Sequence, residues 1–474
     1  LDARERIRRL VDQGSFREIG KIAGRGSYDE AGDLESFTAS NFIFGRAEIE
    51  GRPAVVSADD FTVRGGAADA ALHRKFGQCE KMAHEMGLPL VRMIDGTGGG
   101  GSVKSLEDMG FTYVPAVPSW EDIMENLERV PVVALALGPT AGMGAARTVA
   151  SHYSVMVRGL SQIFAAGPVV AQAIGEDIDK EGLGGSDIHT RNGVIDEEVG
   201  SEDEAFEAAR RFLSYLPGNV SQLAARTPCT DPVDRREERL IEIVPRDPKQ
   251  VYSMRGLIDA VFDRGSIFEM GRRWGRAAIT AFARLDGWPI ALLASDPSFL
   301  GGSWEALTSR KVKRFVELAG RFRLPVVHLV DNPGFMVGVE AERAGTIRFG
   351  VEAMNAVYKA EVPWASVIIR RAYGIAGSAM SHAGRFQYRF AWPSGDWGSL
   401  PIAGGLEAAY KSDIEAAEDP AARLAEIKAM LDKVTSPFRT AEKFNVEDII
   451  DPRDTRPLLC EFADLAWRKL GAAV

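Results

Sequence analysis

The sequence predicts an α/β protein built as two tandem halves. Three observations carry that expectation: one phrase occurs twice, further matches flank it in the same order, and each half repeats strand, glycine turn and helix. The phrase is LPVVHLVDNPG at 324–334, and it echoes LPLVRMIDGTG at 88–98. A packed core does not require such an echo, whereas a duplicated half does.

The matches run in order from the N-terminus. Arg4, Asp12, Gly14, Ser15, Glu18 and Gly20 recur as Arg255, Asp263, Gly265, Ser266, Glu269 and Gly271, at a constant offset of 251. The offset then falls to 236. IEGRPAVVSAD (49–59) resembles LDGWPIALLASD (285–296), and Arg74-Lys75, Ala83, Pro89 and Asp95 map onto Arg310-Lys311, Ala319, Pro325 and Asp331. Finally VPVVALALGPTAGMGAA (130–146) aligns with VPWASVIIRRAYGIAGSAM (362–380) at an offset of 232, which places Gly142-Met143 on Gly374-Ile375. The stretch 217–252 carries five prolines and many charges, as a crossing segment would. A boundary near residue 240 is expected, giving domains 1–240 and 241–474.

In each half a helix precedes the echoed strand. RKFGQCEKMAHEMG (74–87) sets Phe76, Cys79, Met82, Ala83 and Met86 on one face, and RKVKRFVELAGRF (310–322) does so with Val312, Phe315, Val316 and Ala319. A short apolar strand, an Asp and a glycine turn follow, then another helix and another strand. Units of this kind indicate strands buried on both faces. Ligands of such folds bind at the turns beyond the carboxyl ends of the strands.

Composition narrows the function. The 474 residues are 45% hydrophobic and 26% charged, enough for a large core and against global disorder. A formal net charge of -10 argues against a general nucleic-acid binder and leaves room for a local basic patch. Cys79, Cys229 and Cys460 are scattered and odd in number, which suits a reducing compartment and offers no zinc or disulfide pattern. The charged, periodic opening is not a signal peptide, and no apolar run approaches the roughly 18 residues of a membrane span.

The chemistry is expected at two glycine turns. In AGMGAA (141–146) the strand ends at Leu137, Gly138-Pro139 bends the chain, and a helix of small residues begins. Backbone N–H groups there have no intrahelical partner, so those of Gly142 and Met143 can converge on one oxygen. YGIAGSAM (373–380) offers Ile375 and Ala376 in the same way. Two such turns suggest two oxygens that become negative during a reaction, each donor contributing about 3 kcal/mol. Small residues also let a helix pack closely, and either turn alone is consistent with that. GTGGGGS (96–102) lacks P-loop order, and Gly98, Gly99 and Gly100 either line a ligand channel or form a surface turn. No nucleophile elbow appears, and His152, His189, His328 and His382 lack metal-like spacing.

At this point the sequence resembles the carboxyltransferase (beta) subunit of biotin-dependent acyl-CoA carboxylases, of the propionyl-, methylcrotonyl- and acetyl-CoA type. The likeness spans almost the whole chain. It is carried by ARERIRRLVDQGSF (3–16), VVSADDFTVRGG (55–66), GPTAGMGAA (138–146), FAAGPVVAQAIGEDIDKEGLGGSDIHTRNGVIDE (164–197), FLSYLPGN (212–219), SRKVKRFVELAGRFRLPVVHLVDNPGFMVGVEAERAGTIRFG (309–350), RRAYGIAGSAM (370–380) and FAWPSG (390–395).

The resemblance implies two crotonase-like domains of the ClpP/crotonase superfamily, each a spiral of β–β–α units. Acyl-CoA would bind the N-terminal domain of one subunit, and biotin the C-terminal domain of its neighbour, within a homo-oligomer that is often a hexamer of three dimers. Gly142 and Met143 would hold the enolate oxygen of the acyl thioester, with Gly98, Gly99, Gly100, Ala141, Gly377 and Ser378 lining the substrate. Gly374, Ile375 and Ala376 would hold the biotin ureido oxygen. No metal is implied. Biotin would arrive as carboxybiotin on a biotin carboxylase or biotin carboxyl carrier partner, because no ATP-grasp domain fits and no Met-Lys-Met segment occurs. The cytoplasm, or the mitochondrial matrix in a eukaryote, is the expected location.

The chain departs from the family at informative places. Many members have Gly-Gly where Gly142-Met143 stands, and Gly-Gly-Ala-Tyr-Asp where residues 374–378 stand. Ser378 removes a charge that helps select the acyl group, and Gly377 is expected to free the volume of a tyrosine. GTGGGGS and SLPIAGGLEAAYK (399–411) depart as well. The alternatives are a biotin-linked acyl-CoA decarboxylase or transcarboxylase subunit, a non-catalytic assembly subunit, and a plain crotonase-type hydratase or isomerase.

Overall fold

The computed structural model describes residues 1–66, 72–96, 107, 110–112, 114, 116–117, 119–401, 405–406 and 409–472. Gly98, Gly99 and Gly100 lie outside the described residues. The chain divides into two compact units, Leu1–Ala224 and Ala225–Val474. Residues 225–240 belong to the second unit. Leu240 is buried in its core, and Arg235 donates to the carbonyls of Ala260 (2.6 Å) and Phe262 (3.0 Å).

The first unit is built on a seven-stranded sheet. Its spatial order is Arg17–Ile19, Phe42–Ile49, Arg52–Asp59, Leu90–Ile94, Val132–Ala136, Tyr153–Val157 and Glu197–Val199. The first three strands pair antiparallel and the remainder parallel. Strands Leu90–Ile94, Val132–Ala136 and Tyr153–Val157 are buried along their whole length. That burial explains why they read as continuous apolar runs. Helix His73–Met86 covers one face with Cys79 and Ala83, while Met86, expected on that face, is exposed in the last turn before the Gly87 cap.

The second unit repeats the plan with eight strands. Phe268–Met270, Ala278–Leu285, Trp288–Ser295, Val326–Asn332, Trp364–Tyr373, Tyr388–Ala391 and Asp448–Ile449 follow in spatial order. Asp396–Gly398 also pairs with Trp364–Tyr373. Helix Ala306–Arg321 buries Val312, Phe315, Val316 and Ala319 as its spacing predicts.

The duplication extends to single hydrogen bonds. Both hairpin turns use a non-glycine residue and a glycine at positive φ: Glu50 (51°) with Gly51 (73°), and Asp286 (49°) with Gly287 (76°). The Asp12 carboxylate accepts from the N–H groups of Glu50 (3.0 Å) and Gly51 (2.7 Å). Asp263 does the same for Asp286 (3.1 Å) and Gly287 (2.8 Å). Lys75 and Lys311 are both buried, each stem passing close to the glycine matched at its N-terminal side, Gly20 or Gly271. Among the described residues only the first unit has an exposed hairpin of this kind, Gly24–Tyr28 with Leu34–Ala39, and it lies where the offset falls from 251 to 236.

Candidate active site

The first donor turn is assembled from the end of strand Val132–Ala136. The Leu137 N–H donates to the Ile94 carbonyl (2.9 Å). Gly138 then passes against the Asp95 carboxylate so closely that a Cβ on it would lie 1.9 Å from Oδ1. A short strand that sequence did not suggest, Pro139–Ala141, pairs parallel with Gln162–Phe164. Gly142 follows at φ 57° and ψ -119°, and helix Met143–Val149 begins.

This ladder corrects one donor. It runs one residue past Ala141, so the Gly142 N–H donates to the Phe164 carbonyl at 3.3 Å. Among the described residues the N–H groups of Met143, Gly144 and Ala145 have no acceptor; the first intrahelical bond is from Ala146 to the Gly142 carbonyl (2.9 Å). Gly142 has a positive φ, a conformation that side chains rarely adopt, and among the described residues the donors without an acceptor start at Met143.

The second donor turn follows strand Trp364–Tyr373. Gly374 has φ 61° and opens helix Gly374–Ser378. No described residue accepts from the N–H groups of Ile375 and Ala376, and the Ala379 N–H donates to the Ile375 carbonyl at 3.1 Å. Ala376 is buried, whereas half of the Ile375 surface is exposed. Gly142 and Gly374, matched in sequence, share the same left-handed φ ahead of their donors.

Two expectations about side chains here change. The space that Gly377 was expected to free is filled by backbone: a Cβ there would lie 2.6 Å from the Ala372 carbonyl carbon. The Ser378 hydroxyl donates to the Ile375 carbonyl at 2.8 Å, so it satisfies its own helix end.

Tyr373 and the four histidines singled out in the sequence are each engaged by neighbouring groups. Tyr373, the residue before Gly374, has its pKa pushed up by burial and by the neighbouring Asp396, so it stays protonated. His152 is fixed between the Val132 N–H and the Leu127 carbonyl, and His189 lies on the Ile163 carbonyl. His382 accepts from the Gly384 N–H and stacks on Tyr358. His328 is buried in the sheet on the Met380 carbonyl, and burial lowers its pKa to about 4. Among the described residues no group of three or more His, Cys, Asp or Glu could hold a metal ion, and no helix is long and apolar enough to cross a membrane.

Each of the two duplicated α/β units ends a buried strand in a glycine at positive φ, followed by backbone N–H groups that have no acceptor among the described residues. The chain belongs to the carboxyl transferase family, whose domain matches residues 1–473. It is 32% identical over 479 residues to the carboxyltransferase subunit of propionyl-CoA carboxylase from Haloferax mediterranei, covering 99% of this chain and 90% of that one. It is 30% identical over 464 residues to methylmalonyl-CoA decarboxylase subunit alpha from Veillonella parvula, covering 96% and 88%. Its fold matches a transcarboxylase 12S structure with methylmalonyl-CoA and methylmalonic acid bound, at a TM-score of 0.87 and 29% identity over 98% of this chain and 89% of the other. The two tandem units are thus the duplicated crotonase-like fold of this family, and the chemistry is carboxyl transfer to or from an acyl-CoA.

Proposed function

We propose that the chain exchanges a carboxyl group between biotin and the α carbon of an acyl-CoA, with both charge-bearing oxygens held by backbone donors. The observation that carries this is the pair of turns in which a glycine at φ near 60° is followed by N–H groups that have no acceptor among the described residues. Preorganised donors of this kind favour charge where it develops and need no reorganisation.

The Met143 N–H, with Gly142 setting its direction, holds the thioester oxygen as the α carbon loses its proton or its carboxyl group. Ala141 flanks that position. The N–H groups of Ile375 and Ala376 fit an acceptor oxygen such as the ureido carbonyl of biotin, because Gly374 and Gly377 leave only backbone beside them. Biotin, when bound, supplies or takes up the carboxyl group. The unit Leu1–Ala224 binds acyl-CoA, and Ala225–Val474 receives biotin from a carrier subunit. The two donors meet across a subunit pair in a hexamer of the kind named for transcarboxylase 12S.

The reverse sense, transcarboxylase or decarboxylase, is favoured over carboxylation alone. The support is that the relatives include a methylmalonyl-CoA decarboxylase subunit and a methylmalonyl-CoA carboxyltransferase 12S subunit, and that the matching structures are of transcarboxylase 12S. The test is a panel of malonyl-, methylmalonyl- and ethylmalonyl-CoA with biotin as acceptor, alongside labelled-bicarbonate fixation on the uncarboxylated esters with a biotin carboxylase and carrier. Carboxyl movement on at least one ester supports the reading. Inertness of the assembled protein on all of them overturns it.

A further inference from the structure

The aspartates of the repeated phrase, Asp95 and Asp331, are buried at the ends of their strands, and neither has a role in the donor turns as so far described. Each reaches across to the exit of the next strand. The Asp95 Oδ2 pairs with Arg6 Nη1 at 2.6 Å, while Arg6 Nη2 donates to the Leu137 carbonyl at 2.9 Å. The other carboxylate oxygen lies against Gly138. Leu137 and Gly138 lead directly into the turn at Gly142.

In the second unit Asp331 Oδ1 accepts from the Arg371 N–H (3.1 Å) and Arg371 Nε (2.7 Å). Its Oδ2 accepts from Arg370 Nε (3.1 Å) and the Tyr252 hydroxyl (3.0 Å). Arg371 Nη2 continues to the Gly301 carbonyl (2.6 Å). Arg370 and Arg371 lead into the turn at Gly374. The matched position of Arg370 in the first half is Gly138, and that of Arg6 in the second is Leu257. The guanidinium has moved from the first helix to the strand while the carboxylate has stayed.

We propose that Asp95 and Asp331 are positioning residues, each an anionic clamp that fixes a strand exit and so aims the backbone donors after it. This rests on the reading of those donors given above. A carboxylate suits the task because it has only acceptors and can bind several donors at once. Its loss leaves Arg370 and Arg371 without that carboxylate in the second unit, and leaves Arg6 with Glu202 (2.6 Å) as its ion-pair partner in the first, so the guanidinium groups would pull the strand exit toward other acceptors. A displacement of about 1 Å is enough to cost roughly a hundredfold in a reaction that depends on orientation.

The experiment compares Asp331→Asn, Asp95→Asn and Gly138→Ala with the unaltered assembled protein. Gly138→Ala keeps every charge and displaces the Asp95 carboxylate by steric contact alone. The readouts are kcat and KM on the malonyl-type ester panel with biotin as acceptor, and backbone amide exchange over 134–138 and 367–374. The clamp predicts at least a tenfold fall in kcat, KM within threefold, and faster exchange confined to the strand exit of the altered unit. Unchanged kcat with unchanged local exchange overturns it. Variants that all fail to assemble also overturn it, since the aspartates would then serve folding and not aim. If the unaltered protein is inert on the whole panel, the functional reading fails, and amide exchange still judges the clamp.

Discussion

At the scale of single residues, Ala376 is the sharpest probe of the donor hypothesis. Its N–H has no acceptor among the described residues, and it lies in the first turn of its helix, where proline is tolerated better than further in. Ala376→Pro should lower carboxyl transfer roughly a hundredfold, the effect of about 3 kcal/mol from one lost donor, in protein that still assembles. Ile375→Ala keeps its N–H and should stay within about threefold of the parent. Steady-state rates on the same ester separate the two; equal losses would contradict a backbone role. His328 gives a separate, pH-dependent prediction. Its folded pKa of about 4 lies below the ordinary value of 6.5, so the unfolded chain binds the proton more readily. Stability from the neutral ring is full above pH 6.5 and is lost as pH falls toward 4, up to ~3 kcal/mol. Urea unfolding at pH 7 and pH 5 should show this fall, and His328→Gln should flatten it. Neither the Phe164 acceptor nor the internal bond of Ser378 was legible in the sequence, because both depend on a three-residue strand and a local carbonyl.

At the scale of elements, the duplicated hairpins make a matched pair. Asp12 and Asp263 clamp equivalent turns with two N–H bonds each, but Asp263 is more deeply buried and also pairs with buried Arg456 at 2.9 Å. Asp12→Ala should cost about 1–2 kcal/mol for the lost bonds. Asp263→Ala should cost more, roughly 3 kcal/mol, because it also removes the closer of the two carboxylates beside buried Arg456. Chemical denaturation of both variants checks the order, and equal losses would contradict it. The elements themselves were largely readable. Helix Ala306–Arg321 showed its apolar period, and the strands at 90–94 and 326–332 showed their apolar runs. The hairpin of Gly24–Tyr28 and Leu34–Ala39 was not readable, since its exposed strands bury no alternating face. Pairing of Asp95 and Asp331 was visible as an echo, but their partners Arg6 and Arg371 lie at non-matching positions, so no alignment of the halves could supply the role.

At the scale of the whole molecule, two copies of one fold carry two copies of one electrostatic device. The first unit presents donors from Met143 onward, and the second presents Ile375 and Ala376. Family membership gives carboxyl transfer to or from an acyl-CoA as the chemistry, and the proposal assigns these donors to it. The proposed division of labour requires at least a subunit pair, and the likeness to the transcarboxylase 12S hexamer leads us to expect an oligomer larger than a dimer by light scattering; dilution into monomers should abolish transfer. The most direct measurement is carboxyl exchange between labelled malonyl-type CoA esters and biotin by the assembled protein, with and without Ala376→Pro. The account predicts label on biotin with the unaltered chain and a roughly hundredfold slower appearance with the proline. Transfer at an undiminished rate in the proline variant, or no transfer from any ester by the unaltered oligomer, would contradict it.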